Sequence, residues 1–90
     1  MFDRDDMAVE VISLCGTDGK MQPLRFRFKD ENNYLQTANV LEILDVHKVD
    51  HVGAESFRYL CKTEACERHH LMELVYAIRS HRWTLTRKLY

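Results

Sequence analysis

Two cysteines and two adjacent histidines lie within ten residues of one another, and these are the residues best suited to chemistry. The stretch CKTEACERHH begins at Cys61, ends at His70 and has the spacing C-x4-C-x2-H-H. Zinc binds thiolate and imidazole ligands, and a four-residue gap between cysteines is within the usual range. A thiol beside a histidine can also act as a nucleophile with its base. The stretch therefore raises two hypotheses, a zinc site and a cysteine–histidine catalytic pair.

The residues that flank this stretch predict a β-hairpin, which decides where its side chains point. An even-length loop centred on Ala65 and Cys66 pairs Cys61 with His70 on the core side. His69 then points to the opposite face, because successive side chains alternate along a strand. Cys66 lies in the turn, about 13 Å from His70 on an extended chain, which is too far for one tetrahedral ion. We therefore predict no metal site and no cofactor.

The same hairpin argues against catalysis by Cys61 and His70. Burial on an apolar face raises the pKa of a thiol, and no orienting carboxylate or anion hole follows from the sequence. The three glycines are isolated, so there is no glycine-rich loop of the kind that cradles a phosphate. We predict a domain that binds without catalysing a reaction.

Alternating apolar residues on either side predict further antiparallel strands joined by turns. The first is AVEVISLCGTDGKMQPLRFRFKD, in which an Asp-Gly dipeptide at 18–19 favours a two-residue type I′ turn. That turn pairs Val11 with Phe26, and Ser13 with Leu24, on one apolar face. Glycine at the turn accepts a positive φ without steric cost.

The next turn is DENN, at residues 30–33, and a third strand follows it. We expect an even-length loop here, which places Leu35 and Thr37 on the same face as Phe28 and Phe26. The third strand would then continue the apolar face of the first hairpin.

The segment ANVLEILDVHKVDHVG fits two structures. Its alternation is imperfect, and we interpret it as a long strand broken by a bulge; a helix around residues 38–48 is the alternative. Two more segments, FRYLCKT and RHHLMELVYAI, form the next hairpin, and WTLTRKLY forms the last strand. We predict an all-β fold, an antiparallel five- or six-stranded meander that curls into a small barrel or half-barrel, because closure removes exposed edges. With the helix, the fold would be α+β.

Length and composition predict one domain. The 90 residues are 46% hydrophobic, enough for a single core. We assign residues 1–6 to a polar tail and residues 7–90 to the domain. The opening MFDRDDM lacks the basic and apolar segments of a signal peptide, and no apolar run approaches the roughly 18 residues of a membrane helix. We expect a cytoplasmic protein that does not contact a membrane, with its three cysteines reduced.

Basic residues alternate along the outer face of the expected sheet. The formal net charge of -1 gives no overall attraction to nucleic acid, so a basic surface would have to be local. Small barrels bind single-stranded nucleic acid with such basic tracks and stacking aromatic rings. Binding of single-stranded nucleic acid is therefore our alternative function. Its candidate contacts are Arg25, Arg27, Lys29, Arg58 and Lys62.

Apolar residues on the outer face indicate a protein partner. In the predicted register Leu60 faces Leu71, and Val75 continues along the same strand. Ile12 and Leu14 end the first strand in a similar way. An apolar outer strip is unusual for a solvated sheet. Our first prediction of function is therefore protein–protein contact or self-association as a homodimer.

Three segments also carry a resemblance, namely QPLRFRFKDENNYLQTANVLEIL, FRYLCKT and LMELVYAIRSHRWTL. They resemble small uncharacterised bacterial proteins of similar length that end in a hairpin of the form Tyr-x-Ile/Leu, short turn, Trp-x-Leu. The resemblance spans residues 7–86. It implies a compact β-rich domain in a bacterial cytoplasm, and it carries over no catalytic or binding residues.

Overall fold

Six antiparallel strands make up the regular structure of residues 6–88, which is the part of the chain that the computed structural model describes. They are β1 (Met7–Cys15), β2 (Met21–Lys29), β3 (Leu35–His51), β4 (Ala54–Ala65), β5 (Arg68–Ala77) and β6 (Arg82–Lys88). Each strand pairs with the next along the chain, and β6 returns to β1 to close a barrel. The predicted all-β meander is confirmed, in its closed six-stranded form.

The alternative helix at 38–48 is wrong, because these residues lie within β3. Residues 1–5 of the predicted tail and residues 89–90 of the predicted domain lie outside the described part of the chain. Between residues 6 and 88, no helix is long and apolar enough to cross a membrane.

The core fills the interior of the barrel with side chains from alternate positions of the strands. Its buried apolar members are Phe26, Phe28, Ala38, Tyr59, Cys61, Ala65, Met72, Leu74, Tyr76, Trp83 and Leu85. The ring of Trp83 lies 5.4 Å from that of Tyr59 and 4.8 Å from that of Tyr76, measured between centroids. Burying one large apolar side chain contributes about 1.5 to 3 kcal/mol, so these positions hold most of the stability.

The loop between β1 and β2 is longer than the predicted type I′ turn. It spans residues 16–20, where Gly16 N donates to Lys20 O at 2.8 Å and Gly19 N donates to Gly16 O at 2.9 Å. Within the loop only Gly19 has a positive φ, which is typical of a type I turn followed by a left-handed residue. The Asp18 carboxylate accepts a hydrogen bond from Lys20 N and stabilises this form. The predicted turn type is therefore wrong.

A β-bulge at Leu24 compensates for the longer loop. On the loop side of the bulge Ser13 pairs with Pro23 and not, as predicted, with Leu24. Beyond it Val11 pairs with Phe26, as predicted. The loop shifts the register by one residue and the bulge shifts it back. The bulge also accommodates Pro23, which has no N–H to donate to the ladder.

The loop between β2 and β3 has the same geometry at residues 30–34. Asn33 N donates to Asp30 O at 2.9 Å, and Asn33 has a φ of 67°. Five loop residues, an odd number, reverse the expected faces. Leu35 and Thr37 are therefore exposed, and the prediction that they share the face of the phenylalanines is wrong.

The longest strand, β3, has 17 residues and two bulges. Its register against β4 shifts at Leu41 and again at Leu44, which are the two extra residues. The predicted strand broken by a bulge is confirmed, and the second bulge is an addition. Bulges increase local twist, which lets a strand of this length curve around a narrow barrel.

The turn between β4 and β5 lies one residue later than predicted. It is a two-residue turn at Cys66 and Glu67, whose φ values are 55° and 62°, as a type I′ turn requires. Cys61 therefore pairs with Met72 and not with His70. The predicted register is wrong by two residues, and an error of two leaves every side chain on its expected face.

Candidate functional site

The cysteine and histidine side chains of the 61–70 stretch do not converge. Cys61 is buried opposite Met72, whereas His70 lies opposite Thr63. Cys66 is exposed, and its thiol donates to the Gln36 side-chain oxygen at 3.1 Å. Within residues 6–88, no three His, Cys, Asp or Glu side chains are grouped so that they could hold a metal ion.

The buried thiol is held in its neutral form. Burial raises the pKa of Cys61 to about 12, because apolar surroundings disfavour the thiolate. Its sulfur lies 3.7 Å from the Tyr59 carbonyl, to which the thiol donates weakly. At neutral pH Cys61 therefore behaves as a small core hydrophobe and is a poor nucleophile.

One end of the barrel is open and leads into a cavity of about 810 Å³. The cavity lies between the β1–β2 loop, the middle of β3, the beginning of β4 and the end of β5. Its apolar lining consists of Met21, Ile43, Val46, Phe57, Tyr59, Tyr76 and Ile78. Small-molecule sites have volumes of about 300 to 1,000 Å³ and often occupy the mouths of β-barrels. We call this feature the mouth cavity.

Two tyrosines form the floor of the mouth cavity. The Tyr59 hydroxyl donates to Met21 O at 2.8 Å, and the Tyr76 hydroxyl is hydrogen-bonded to His81 Nδ1 at 2.8 Å. Burial is the main reason that the pKa of Tyr59 is raised, so its phenol is neutral at physiological pH. Trp83 packs against both rings from the core side. The floor is thus aromatic, and both of its hydroxyl groups are hydrogen-bonded within the protein.

The rim of the mouth cavity carries charges and a thiol. Lys20, Lys48 and Asp18 line the opening, and so does Cys15, whose thiol is exposed. Lys48 Nζ lies 3.2 Å from the Glu55 carboxylate. Because Glu55 is paired with Lys48, Lys20 is the rim lysine that forms no ion pair within the part of the chain that the structure describes.

The sequence pattern did not reveal the mouth cavity. Val46 lies opposite Tyr59, and Phe57 is two residues from Tyr59 on the same strand, so both are at inward positions, which are ordinarily filled by a core. In the structure β6 pairs with β1 only as far as Val9, so the last part of β1 is not covered by β6. The inward residues of β3 and β4 at this end therefore face a space that no described strand fills. The unequal lengths of the strands indicate an open end, but only after it is known which strands pair.

The five basic residues predicted to contact nucleic acid divide into two groups. Arg25, Arg27 and Lys29 lie on the outer face of β2, and Arg58 and Lys62 lie on β4. Asn39, on the intervening β3, pairs with Arg25 on one side and with Glu64 on the other. Arg25, Asn39 and Glu64 therefore lie side by side across three strands. Starting from these three residues, Arg27 and Lys29 lie towards one end of the barrel, and Lys62 and Arg58 lie towards the other. The fold does not bring the five into one track.

Two of these basic residues also have internal partners. Arg27 forms an ion pair with Glu10 across the β1–β2 ladder. Arg58 Nη1 lies 3.1 Å from the Glu73 carboxylate, which is buried. Both pairs reduce the positive charge that the outer face offers to a phosphate backbone.

The three predicted interface residues surround that buried carboxylate on the outer face of β4 and β5. Leu60 lies opposite Glu73, so its predicted pairing with Leu71 is wrong. Leu60, Leu71 and Val75 are all half-buried. Glu73 also accepts a hydrogen bond from the Thr86 hydroxyl at 2.8 Å. The centre of this surface is therefore a polar cluster of Arg58, Glu73 and Thr86, and the three apolar residues surround it.

A second apolar surface is more exposed. Ile12, Leu14 and Leu24 keep 54%, 52% and 45% of their surface accessible. They are close neighbours, because Ile12 lies opposite Arg25 and the bulge turns Leu24 outward beside it. We call these three residues the β1–β2 patch. A shallow groove of about 400 Å³ adjoins it, lined in part by Ile12, Arg25 and Glu10.

Comparison with known proteins identifies no relative, because no family model, no curated protein and no solved structure matches this chain. The resemblance to small bacterial proteins stays a prediction.

Proposed function

We propose that the protein is a non-catalytic binding domain that associates with a second copy of itself through the β1–β2 patch. The observation that carries this proposal is the exposure of Ile12, Leu14 and Leu24, each at about half of its surface and all next to one another. Adjacent aliphatic side chains on an outer sheet face are unfavourable in water and are typical of contact surfaces. Burying them against a second copy removes that cost.

The charges around the β1–β2 patch support a second copy as the partner. Glu10 and Arg27 form an ion pair within one copy and Arg25 lies opposite Ile12, so both signs of charge border the same apolar group. A two-fold symmetric interface sets a surface against itself, and each copy must offer charges that the other can pair with. A patch bordered by both a carboxylate and guanidinium groups meets this requirement.

The environment of the reactive side chains supports a role without catalysis. The Cys61 thiol is buried and neutral, and its cross-strand neighbour is Met72, which provides no base. His70 lies opposite Thr63, so it is not the directly opposed neighbour of Cys61.

The free thiols support a reducing compartment. Cys15 and Cys66 are exposed and unpaired with each other or with Cys61. Exposed thiols persist as such where the surroundings are reducing, and we infer a cytoplasmic location on this ground. A bacterial origin follows only from the resemblance of residues 7–86.

Sedimentation velocity over about 5 to 200 µM protein tests the self-association. We expect the wild-type mass to rise to that of a dimer, and we expect Leu24→Lys to raise the dissociation constant at least about tenfold, because a lysine ammonium would be buried in the interface. A wild-type protein that is monomeric at the highest concentration contradicts the proposal.

Two further variants locate the interface. Leu35→Lys is the matched control, because Leu35 is a similarly exposed strand leucine outside the β1–β2 patch, and it should leave the dissociation constant unchanged. Leu71→Glu tests the other apolar surface. Dissociation by Leu71→Glu and not by Leu24→Lys would assign the interface to the outer face of β4 and β5 instead.

Binding of single-stranded nucleic acid is the second candidate function, and the basic residues on the outer face of β2 favour it. Arg25 and Arg27 line the groove beside the β1–β2 patch, and Lys29 continues the row. Fluorescence anisotropy of a labelled oligothymidylate should show binding that weakens with salt, with a slope that falls when the three residues are replaced by Ala. No binding by the wild type at low salt would end this candidate.

A further inference from the structure

We infer that the mouth cavity is a binding site for a small amphiphile, an apolar molecule with a single carboxylate. This site is distinct from the β1–β2 patch, because none of Ile12, Leu14 and Leu24 lines the cavity. The two proposals can therefore fail independently.

The interior of the mouth cavity fits an apolar tail. Its walls are Met21, Ile43, Phe57 and Ile78, and these side chains are only partly buried although they pack against the core. Val46, at the opening, is still more exposed. An apolar ligand that covers this surface removes it from water, which favours binding.

The floor of the mouth cavity limits what the tail can be. The Tyr59 hydroxyl already donates to a backbone carbonyl, and the Tyr76 hydroxyl is bonded to His81. The floor therefore presents aromatic rings whose polar tips are engaged elsewhere. A hydrocarbon chain or an aromatic ring can pack against these rings without losing a hydrogen bond. A sugar or a nucleobase would give up its hydrogen bonds to water there and find no replacement.

The rim of the mouth cavity selects the head group. Lys48 is paired with Glu55, whereas Lys20 forms no ion pair among residues 6–88. The Asp18 carboxylate is engaged in the loop, where it accepts the Lys20 backbone N–H. A carboxylate at the end of an apolar tail would lie beside the Lys20 ammonium group, and a cationic head would be disfavoured there.

Titration calorimetry of the full chain with octanoate, 1-octanol and octylammonium tests the proposal. We expect octanoate to bind with a measurable enthalpy, octanol to bind about fivefold more weakly and octylammonium more weakly still, since one exposed charge pair contributes up to about 1 kcal/mol. Equal affinity for octanoate and octanol would overturn the assignment of the carboxylate. No binding of any of the three would overturn the site.

Two tryptophan variants separate the mouth cavity from the outer surface. Val46→Trp fills the opening and should weaken octanoate binding at least about tenfold. Leu41→Trp is the matched control on the same strand, because Leu41 is about as exposed, at 49% against 46%, but is not part of the lining. Equal binding by the two variants would contradict this location.

The alkylation rate of the Cys15 thiol measures whether the mouth cavity is occupied, and it does so without a substitution among the lining residues. In a Cys66→Ser background Cys15 is the exposed thiol, whereas Cys61 is buried with its pKa raised to about 12. Saturating octanoate should slow alkylation of Cys15 by iodoacetamide at least about threefold, because the head group and chain cover the rim. An unchanged alkylation rate under saturating octanoate would place the ligand elsewhere and overturn the site.

Discussion

At the scale of single residues, the environment of Cys61 decides what its thiol can do. The sequence presents Cys61 as the first member of a motif with zinc spacing, and the fold encloses it among apolar side chains. Burial raises its pKa to about 12, so the thiolate that a nucleophile needs is suppressed at neutral pH. Residue type and spacing indicated a reactivity that burial of the thiol disfavours.

The same thiol makes stability depend on pH in alkaline solution. The pKa of this thiol is 9.0 in the unfolded chain and about 12 in the folded protein, so the unfolded chain loses the proton first as the pH rises. The contribution of the thiol to the free energy of unfolding is therefore complete below pH 9.0 and is lost as the pH rises towards about 12. Between pH 8 and about pH 10.5 we expect the free energy of unfolding to fall by up to about 2 kcal/mol from this group. Urea unfolding at the two pH values measures the loss.

A Cys61→Ala variant is the control for this prediction. It will be less stable at both pH values because it leaves a small cavity, but its decrease between them should be smaller than that of the wild type. If the variant loses as much stability on alkalinisation as the wild type, the dependence comes from other groups.

Alternation predicted which face each of these side chains occupies, and it could not predict their contacts. Cys61 was expected to point inward and it does, but its expected neighbour was His70 and its actual neighbour is Met72. A side chain's face depends on parity, which is local. Its partner depends on the position of the turn, and Cys66 and Glu67 form a type I′ turn without the usual glycine or asparagine signal.

At the scale of elements, the turns decide the register, and one of them carries avoidable strain. The β3–β4 turn consists of Val52, with a φ of 52°, and Gly53, with a φ of 78°. Glycine adopts this conformation freely, whereas a β-branched residue at positive φ is an outlier. Val52 is also 91% exposed, so no packing compensates for the strain.

Replacing this valine with asparagine should stabilise the protein. Asn is favoured at the first position of a type I′ turn, and a left-handed conformation costs other L-residues roughly 1 to 2 kcal/mol, so Val52→Asn should raise the free energy of unfolding by about 1 kcal/mol. Urea denaturation followed by circular dichroism measures the change.

Val46→Asn is the matched control for the turn variant. Val46 lies on β3, the strand that leads into this turn, is also exposed and is not among the residues with positive φ, so Asn there brings only its lower strand preference and should not stabilise. A Val52→Asn protein that is less stable than the wild type would show that the valine makes a contact worth more than its strain.

The loops show why the element level was only partly predictable. At β1–β2 the longer loop and the Leu24 bulge cancel, so the predicted pairing of Val11 with Phe26 is confirmed for an incomplete reason. At β2–β3 no bulge follows the five-residue loop, and Leu35 is on the opposite face from the expected one. A difference of one loop residue reverses every side chain of the strand that follows.

At the scale of the whole molecule, the number and order of the strands were predictable and the open end was not. A chain of consecutive hairpins with no long crossover favours a meander, and closure of the meander is confirmed. The mouth cavity results from strands of unequal length, since β3 extends over 17 residues while β6 meets β1 only between Met7 and Val9. No local pattern encodes that difference.

The short pairing between β1 and β6, which we call the β1–β6 seam, also affects how the protein folds. Met7 pairs with Leu85 and Val9 with Trp83, so this seam joins strands that are farther apart in the chain than any other paired strands of the barrel. Hairpins close through local contacts, whereas a seam of this kind must first overcome the entropy of closing a loop of almost the whole chain. We therefore expect the five hairpins to form early, and the docking of β6 against β1 to be the late, slow step that turns a curled sheet into a barrel.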